Sequence, residues 1–181
     1  MGILHLAGLG RSPGAVTCGL SYLQHLHGVR NEEGGKTVDE VVVFTSPEVA
    51  HEKLPILGEA VLNRYGTSIP KRIWNSVPVL DVLTECFEME FPQSKLHVCA
   101  VDLTDFHEAL RVVAQTIHRF HPPGSVGRHI QINLTGGVNV LNSALFQAAN
   151  LSGLVAKFYY TFASRENLKY LSPATETDPA A

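Results

Sequence analysis

A strand that breaks at Thr135-Gly136-Gly137 and reopens at once as a helix constrains this chain more than any other stretch. Apolar and polar residues alternate through Ile130-Gln131-Ile132-Asn133-Leu134, the period of a strand, and 138–149 then runs at helical spacing. A turn of this kind leaves backbone N–H groups bare at the helix N-terminus. Its glycines let a ligand approach the main chain, which is the physical requirement for holding a phosphate or another anion. The pattern occurs a second time at the start of the chain. Residues 3–7 form a short apolar strand, Gly8-Leu9-Gly10-Arg11-Ser12-Pro13 the turn, and 14–26 the helix.

The remaining segments alternate in the same way. Val41-Val42-Val43-Phe44 within 40–45 is a β-branched run of the sort buried on both faces of a sheet, and it ends at Thr45-Ser46-Pro47. A helix is expected over 47–64, interrupted at Pro55, and another over 78–91. A strand over 96–101 ends at Asp102-Leu103-Thr104-Asp105, where Thr104 or Asp105 can cap a helix reaching Phe120. A fifth strand is expected over 154–161 and a short edge strand at Tyr170-Leu171. This order predicts a Rossmann-like α/β fold, a mostly parallel sheet of five to six strands with helices on both faces. The domain is expected to span 1–171, with 172–181 a flexible tail.

In such sheets the ligand lies beyond the carboxyl ends of the strands, where the strand order reverses. The turns at 8–13, 45–47, 102–105 and 135–139 all leave strands at that end. If the first and fourth strands are neighbours, the two glycine turns face one another and form one site.

Bulk composition narrows the classes of function. The 181 residues suffice for one core, and 45% hydrophobic with 17% charged residues is an ordinary globular balance. A formal charge of −3 argues against a broad basic surface for long nucleic acids. Cys18, Cys86 and Cys99 are widely spaced with no CxxC, as expected of reduced thiols in a cytoplasmic protein. No apolar run is long enough to span a bilayer, so no membrane role is expected.

Several familiar chemistries fit poorly. Gly8 and Gly10 begin a GxGxxG, but its third glycine falls on Pro13, and no acidic residue closes the second strand. Neither glycine turn is followed by Gly-Lys-Ser/Thr, which removes a Walker A site. His25 with His27 and His118 with His121 lack Cys or carboxylate partners at ligand spacing, so no metal is expected. Arg111 and His118 fit a loose Arg-x6-His ribonuclease spacing, without the helical bundle such nucleases need. Cys18 reads as a core residue, and no Ser-His-Asp order can be defended.

Gly8-Leu9-Gly10-Arg11-Ser12-Pro13, followed by Ala15-Val16-Thr17, and Asn133-Leu134-Thr135-Gly136-Gly137 resemble the two signature regions of CARF domains, the CRISPR-associated Rossmann folds. The first loop is similar to that of type III CRISPR accessory proteins related to the Csm6 and Csx1 ribonucleases, and the likeness covers about residues 1–171. The resemblance implies a homodimer that binds cyclic tetra- or hexa-adenylate across its two-fold axis, without a cofactor, in antiviral signalling. It implies that Gly8, Gly10, Arg11 and Ser12 line one side of the ligand and Thr135, Gly136, Gly137 and Asn139 the other, with Thr45 and Ser46 beside them. Many CARF domains continue Thr-Gly-Gly with Thr-Lys, whereas Val138 and Asn139 stand here. A neutral amide therefore replaces a point charge.

Some CARF domains also cleave the ring, and Arg11 and Ser12 are the expected catalytic pair, for charge and for orientation. The expected activity is that of a stand-alone ring nuclease. The alternatives are a non-catalytic sensor that regulates an effector or partner, and a nucleotide-binding metabolic enzyme.

Overall fold

The computed structural model describes residues 2–25, 38–51, 78–122 and 128–160. Its centre is β1 (Ile3–Leu9), in which all seven residues are buried. A strand lying between two others and covered on both faces has no use for the polar alternation of a half-exposed one. β1 pairs in parallel with β2 (Val38–Thr45) on one side and with β4 (His129–Asn133) on the other. β3 (Lys95–Ala100) continues the sheet beyond β2, and β5 (Val155–Tyr159) continues it beyond β4. The order β3-β2-β1-β4-β5 is wholly parallel, and it reverses direction between β1 and β4.

Helices cover both faces. α1 (Gly14–His25), α2 (Pro47–His51) and α3 (Val79–Glu90) pack Val16, Leu20, Val49, Leu83 and Phe87 against Ala7, Leu9, Val41 and Val43. α4 (Phe106–Phe120) and α5 (Asn139–Ser152) set Val113, Ile117, Leu141 and Leu145 against Leu4, Leu6, Val42, Phe44 and Ile132. Each fully buried aliphatic side chain of this kind contributes about 1.5–3 kcal/mol. α4 starts sharply because the Asp105 carboxylate accepts the N–H groups of His107 and Glu108, while His118 and Arg119 stand at its negative end. Thr104, the other candidate cap, is instead bonded to Asp102 through both its N–H and its hydroxyl.

The expected elements recur with shifted ends, and one shift matters. Gly8 is not in a turn: β1 continues through it to Leu9, with Gly8 opposite Phe44 and Leu9 opposite Thr45. A central strand finds partners on both sides and so runs further than its apolar run suggests. The described part of the helix expected over 47–64 is α2 alone. The edge strand at Tyr170-Leu171, the tail at 172–181, His27 and Pro55 all lie outside the described residues.

Candidate functional site

β1 and β4 end side by side, and the loops that follow them touch. A Cβ built on Gly136 would overlap the carbonyl oxygen of Gly8, and one built on Gly137 would stand 3.0 Å from the Gly8 Cα. Gly137 also has φ +81°, the left-handed region that favours glycine. Gly8, Gly136 and Gly137 thus form one backbone-to-backbone contact that any side chain would push apart. Gly10 stands at its margin, where a Cβ would reach the Gly137 Cα at 4.0 Å.

From this contact the first loop rises through half-buried Arg11 and exposed Ser12 to buried Pro13. α1 is closed onto that loop: the Ser12 carbonyl accepts Ala15 N–H at 3.3 Å, and the Pro13 carbonyl accepts Val16 N–H at 3.0 Å and Thr17 N–H at 3.1 Å. The Ser12 main chain serves the helix while its side chain reaches solvent. On the other loop, α5 opens after Val138, which offers no side-chain cap. Its first turn therefore presents N–H groups and the positive end of the helix dipole beside Gly136 and Gly137. Exposed Asn139 begins the helix. Within the two loops, 8–13 and 134–139, Arg11 is the cationic residue.

Two expected donors are already engaged. Thr45 is completely buried, and its hydroxyl donates to the Leu9 carbonyl at 2.8 Å, tying the ends of β2 and β1 together. The Thr135 N–H donates to Asn133 Oδ1 at 2.8 Å. Ser46 turns its hydroxyl to the Val49 N–H at 3.4 Å and so supports the first turn of α2. A residue type and its place after a strand do not reveal which way a hydroxyl turns once neighbouring strands supply acceptors.

The carboxyl edge is unequal in charge. Beyond β2 and β3 stand the exposed carboxylates Glu48, Asp102 and Asp105 and the half-buried Glu108. The Asp102 charge works to raise the pKa of both Glu48 and Glu108, although each is held below its ordinary value, mainly by hydrogen bonds to Ser46 and to Arg111 respectively. The carboxylates thus lie on the β2–β3 side of this edge, and Arg11 and the N-terminus of α5 follow β1 and β4.

Beneath the loops, on the α1 face, lies a buried polar row that sequence reasoning did not single out. His5, Gln131 and Asn133 are inaccessible to solvent. The Tyr159 hydroxyl is hydrogen-bonded to the His5 ring, 2.9 Å from Nδ1 and 3.1 Å from Nε2. Burial lowers the His5 pKa to about 3 and pushes the Tyr159 phenol well above its usual value. The imidazole is therefore neutral, with one ring nitrogen an N–H donor and the other an acceptor. A signal was present in His5, the polar residue within the apolar run 3–7, whereas Gln131 and Asn133 stand at the polar positions of an ordinary alternation.

The other sequence candidates lie elsewhere. Arg111 makes two bonds to the Glu108 carboxylate, at 2.6 and 2.7 Å, and a third to Gln115, all on the exposed face of α4. Among the described residues, no three His, Cys, Asp or Glu side chains are grouped so as to hold a metal. No described helix is long and apolar enough to cross a membrane.

No family model matches the chain. An uncharacterized protein of Archaeoglobus fulgidus is 25% identical over 191 residues, which cover 90% of this chain and 57% of that protein. The chain thus spans little more than half the length of that relative. Among solved structures, Can2 from Sulfobacillus thermosulfidooxidans in complex with cyclic tetra-adenylate is similar at a TM-score of 0.52 and 10% identity, over 88% of this chain and 32% of that one. Enterococcus italicus Csm6 bound to cyclic hexa-2′-fluoro-hexa-dAMP is similar at 0.52 and 11%, over 88% of this chain and 33% of that one. Both are CARF-domain proteins of type III CRISPR systems. At these identities the likeness is one of fold.

Proposed function

Starting from a chain that has the fold of CARF-domain proteins, we propose that it binds a cyclic oligoadenylate of four or six residues in the crevice between β1 and β4. In this reading it does so as a cytoplasmic homodimer in type III CRISPR antiviral signalling, and it cleaves the ring without a metal. The observation that carries the proposal is the contact of Gly8 with Gly136 and Gly137, which merges the two loops into one surface. A cyclic oligoadenylate has one negative charge per phosphate and an internal two-fold axis, so two copies of this surface can offer it matching donors. Arg11, Ser12, Gly136, Gly137 and Asn139 are the ligand-facing residues of this reading, with Gly8 and Gly10 giving access to the backbone. Thr45 ties two strands together and is left out.

Cleavage needs no external nucleophile. The ribose 2′-oxygen attacks the adjacent phosphorus as the P–O5′ bond breaks. The 2′-hydroxyl proton passes to solvent, the departing 5′-oxygen takes one up, and the product ends in a 2′,3′-cyclic phosphate. Arg11 would stabilise the charge that develops on the phosphoryl oxygens, and Ser12 would hold the phosphate in line.

A second reading, a sensor without catalysis, is favoured by the share of longer proteins that the chain covers: 57% of the Archaeoglobus fulgidus relative and about a third of Can2 and Csm6. Incubation of excess protein with cyclic tetra- and hexa-adenylate in the presence of a chelator separates the two readings. Linear products ending in 2′,3′-cyclic phosphate support the nuclease. An intact ring with a raised melting temperature supports the sensor. No product and no shift with either ring would reject both, and a shift with NAD or ATP alone would point to a metabolic enzyme.

A further inference from the structure

Asn133 is the last residue of β4 and is fully buried, beside Ala7 of β1 and Tyr159 of β5. Its side chain bonds the second loop directly and reaches the first through the opening turn of α1. Oδ1 accepts the Thr135 N–H at 2.8 Å, and Nδ2 donates to the Ala15 carbonyl at 3.0 Å. Ala15 lies in the first turn of α1, where its own N–H is bonded to the Ser12 carbonyl at 3.3 Å. The chemistry fixes the orientation of the amide, since a backbone N–H needs an acceptor and a carbonyl needs a donor. A Cβ built on Gly19 of α1 would overlap the Asn133 Nδ2 and stand 3.0 Å from the Tyr159 ring. One planar amide thus ties the loop bearing Gly136 and Gly137 to the first turn of α1, which is itself bonded to Ser12 of the other loop.

We infer that Asn133 is a positioning residue, which sets the distance between the two edges of the crevice without touching the ligand. This rests on the reading of the crevice as a cyclic oligoadenylate site. Ring phosphates contact both edges at once, so a shift of either loop loses contacts that each loop alone would retain. Asparagine supplies the donor and the acceptor together. Aspartate has the same shape and keeps the acceptor for Thr135, but when ionised it sets a second oxygen against the Ala15 carbonyl. Once protonated, it can donate there again. Burial raises the pKa of a carboxyl group, which brings that protonation into an accessible range. Neutral His5, with its pKa near 3, does not titrate over the same range.

The test uses the full chain with Asn133→Asp, and with Asn133→Ser as a milder variant that adds no charge and cannot make both bonds. Affinity for cyclic tetra- and hexa-adenylate is measured by calorimetry at pH 8 and pH 5.5, below the melting temperature of each protein. The expected result is at least a tenfold loss for both variants at pH 8, with severalfold recovery at pH 5.5 for N133D and none for N133S. A residue important only for folding would not return affinity with protonation in one variant alone. If N133D does not fold, the loss in N133S carries the result. Should the parent bind a ring and the folded variants bind it within twofold, the positioning role is overturned and the ring site stands. A parent that binds neither ring overturns the ring site and this role with it.

Discussion

The backbone of Gly136 rests against the carbonyl oxygen of Gly8, although the two residues are more than a hundred positions apart in the chain. Everything proposed for the crevice depends on that approach, because it lets one ligand meet both loops. Gly136→Ala would place a methyl group on the Gly8 main chain, which cannot swing aside as a flexible side chain can. A cost of about 1–3 kcal/mol is expected, seen as a fall in melting temperature of roughly 3–10 °C, together with loss of ring binding. Unchanged melting and binding would mean that the loops are not held in contact.

Arg11 is the cation of the two loops, and a charge-assisted contact to phosphate is worth about 1.5–3 kcal/mol. Arg11→Ala should therefore weaken ring binding by roughly 10- to 100-fold, with melting shifted by no more than about 2 °C. The parent's affinity should fall as salt is raised, and that of the variant should fall less. Ser12→Ala should keep most of the affinity while slowing ring opening. If both variants cleave as the parent does, Arg11 and Ser12 are not the catalytic pair.

Asn139 stands where many CARF domains carry lysine, at the first position of α5. Asn139→Lys adds a positive charge beside Gly136 and Gly137, so ring binding should tighten severalfold at low salt. The same charge opposes the positive end of the helix dipole and should lower stability by about 0.3–1 kcal/mol. Parallel calorimetry and thermal melts would show the two effects moving in opposite directions. Tighter binding that persists unchanged at high salt would contradict the electrostatic cause.

His5 makes stability depend on pH. Its folded pKa of about 3 lies below the ordinary value of 6.5 because burial disfavours the charged ring. Between those values the unfolded chain binds a proton that the folded chain refuses, so stability rises with pH across this window. The contribution is complete above about pH 6.5 and is lost as pH falls towards 3. The slope is on the order of 1 kcal/mol per pH unit for one proton. Glu40 adds a loss of the same sign at lower pH: burial raises its pKa, but hydrogen bonds from His97 and Arg128 outweigh this and lower it. Denaturant melts of parent and His5→Gln at pH 7.5 and 5 separate the two. The variant should show a flatter dependence, and equal slopes would remove His5 as the cause.

Much of the fold was legible in short stretches of the chain. The apolar run at Val41–Phe44, the helical spacing after Gly137 and the cap at Asp105 are effects of nearest neighbours and of periodicity. Each element described was therefore foreseen, within a few residues at its ends, apart from the far end of the helix expected over 47–64, which lies outside the described residues. Gly8 was misplaced because the length of a central strand depends on its partners, and Leu9 pairs with Thr45 across a gap of 36 positions. Thr45 was read as a ligand donor for the same reason, since its acceptor, the Leu9 carbonyl, is brought near only by that pairing.

The residue pattern alone established alternating strands and helices, and two glycine turns each opening a helix, because such features arise from local backbone preferences. Folding alone decided that β4 lies beside β1, that Gly136 meets Gly8, and that the Asn133 amide ties the second loop to the first turn of α1. Strand order is chosen by the joint burial of distant apolar faces, and no short window of residues carries that choice.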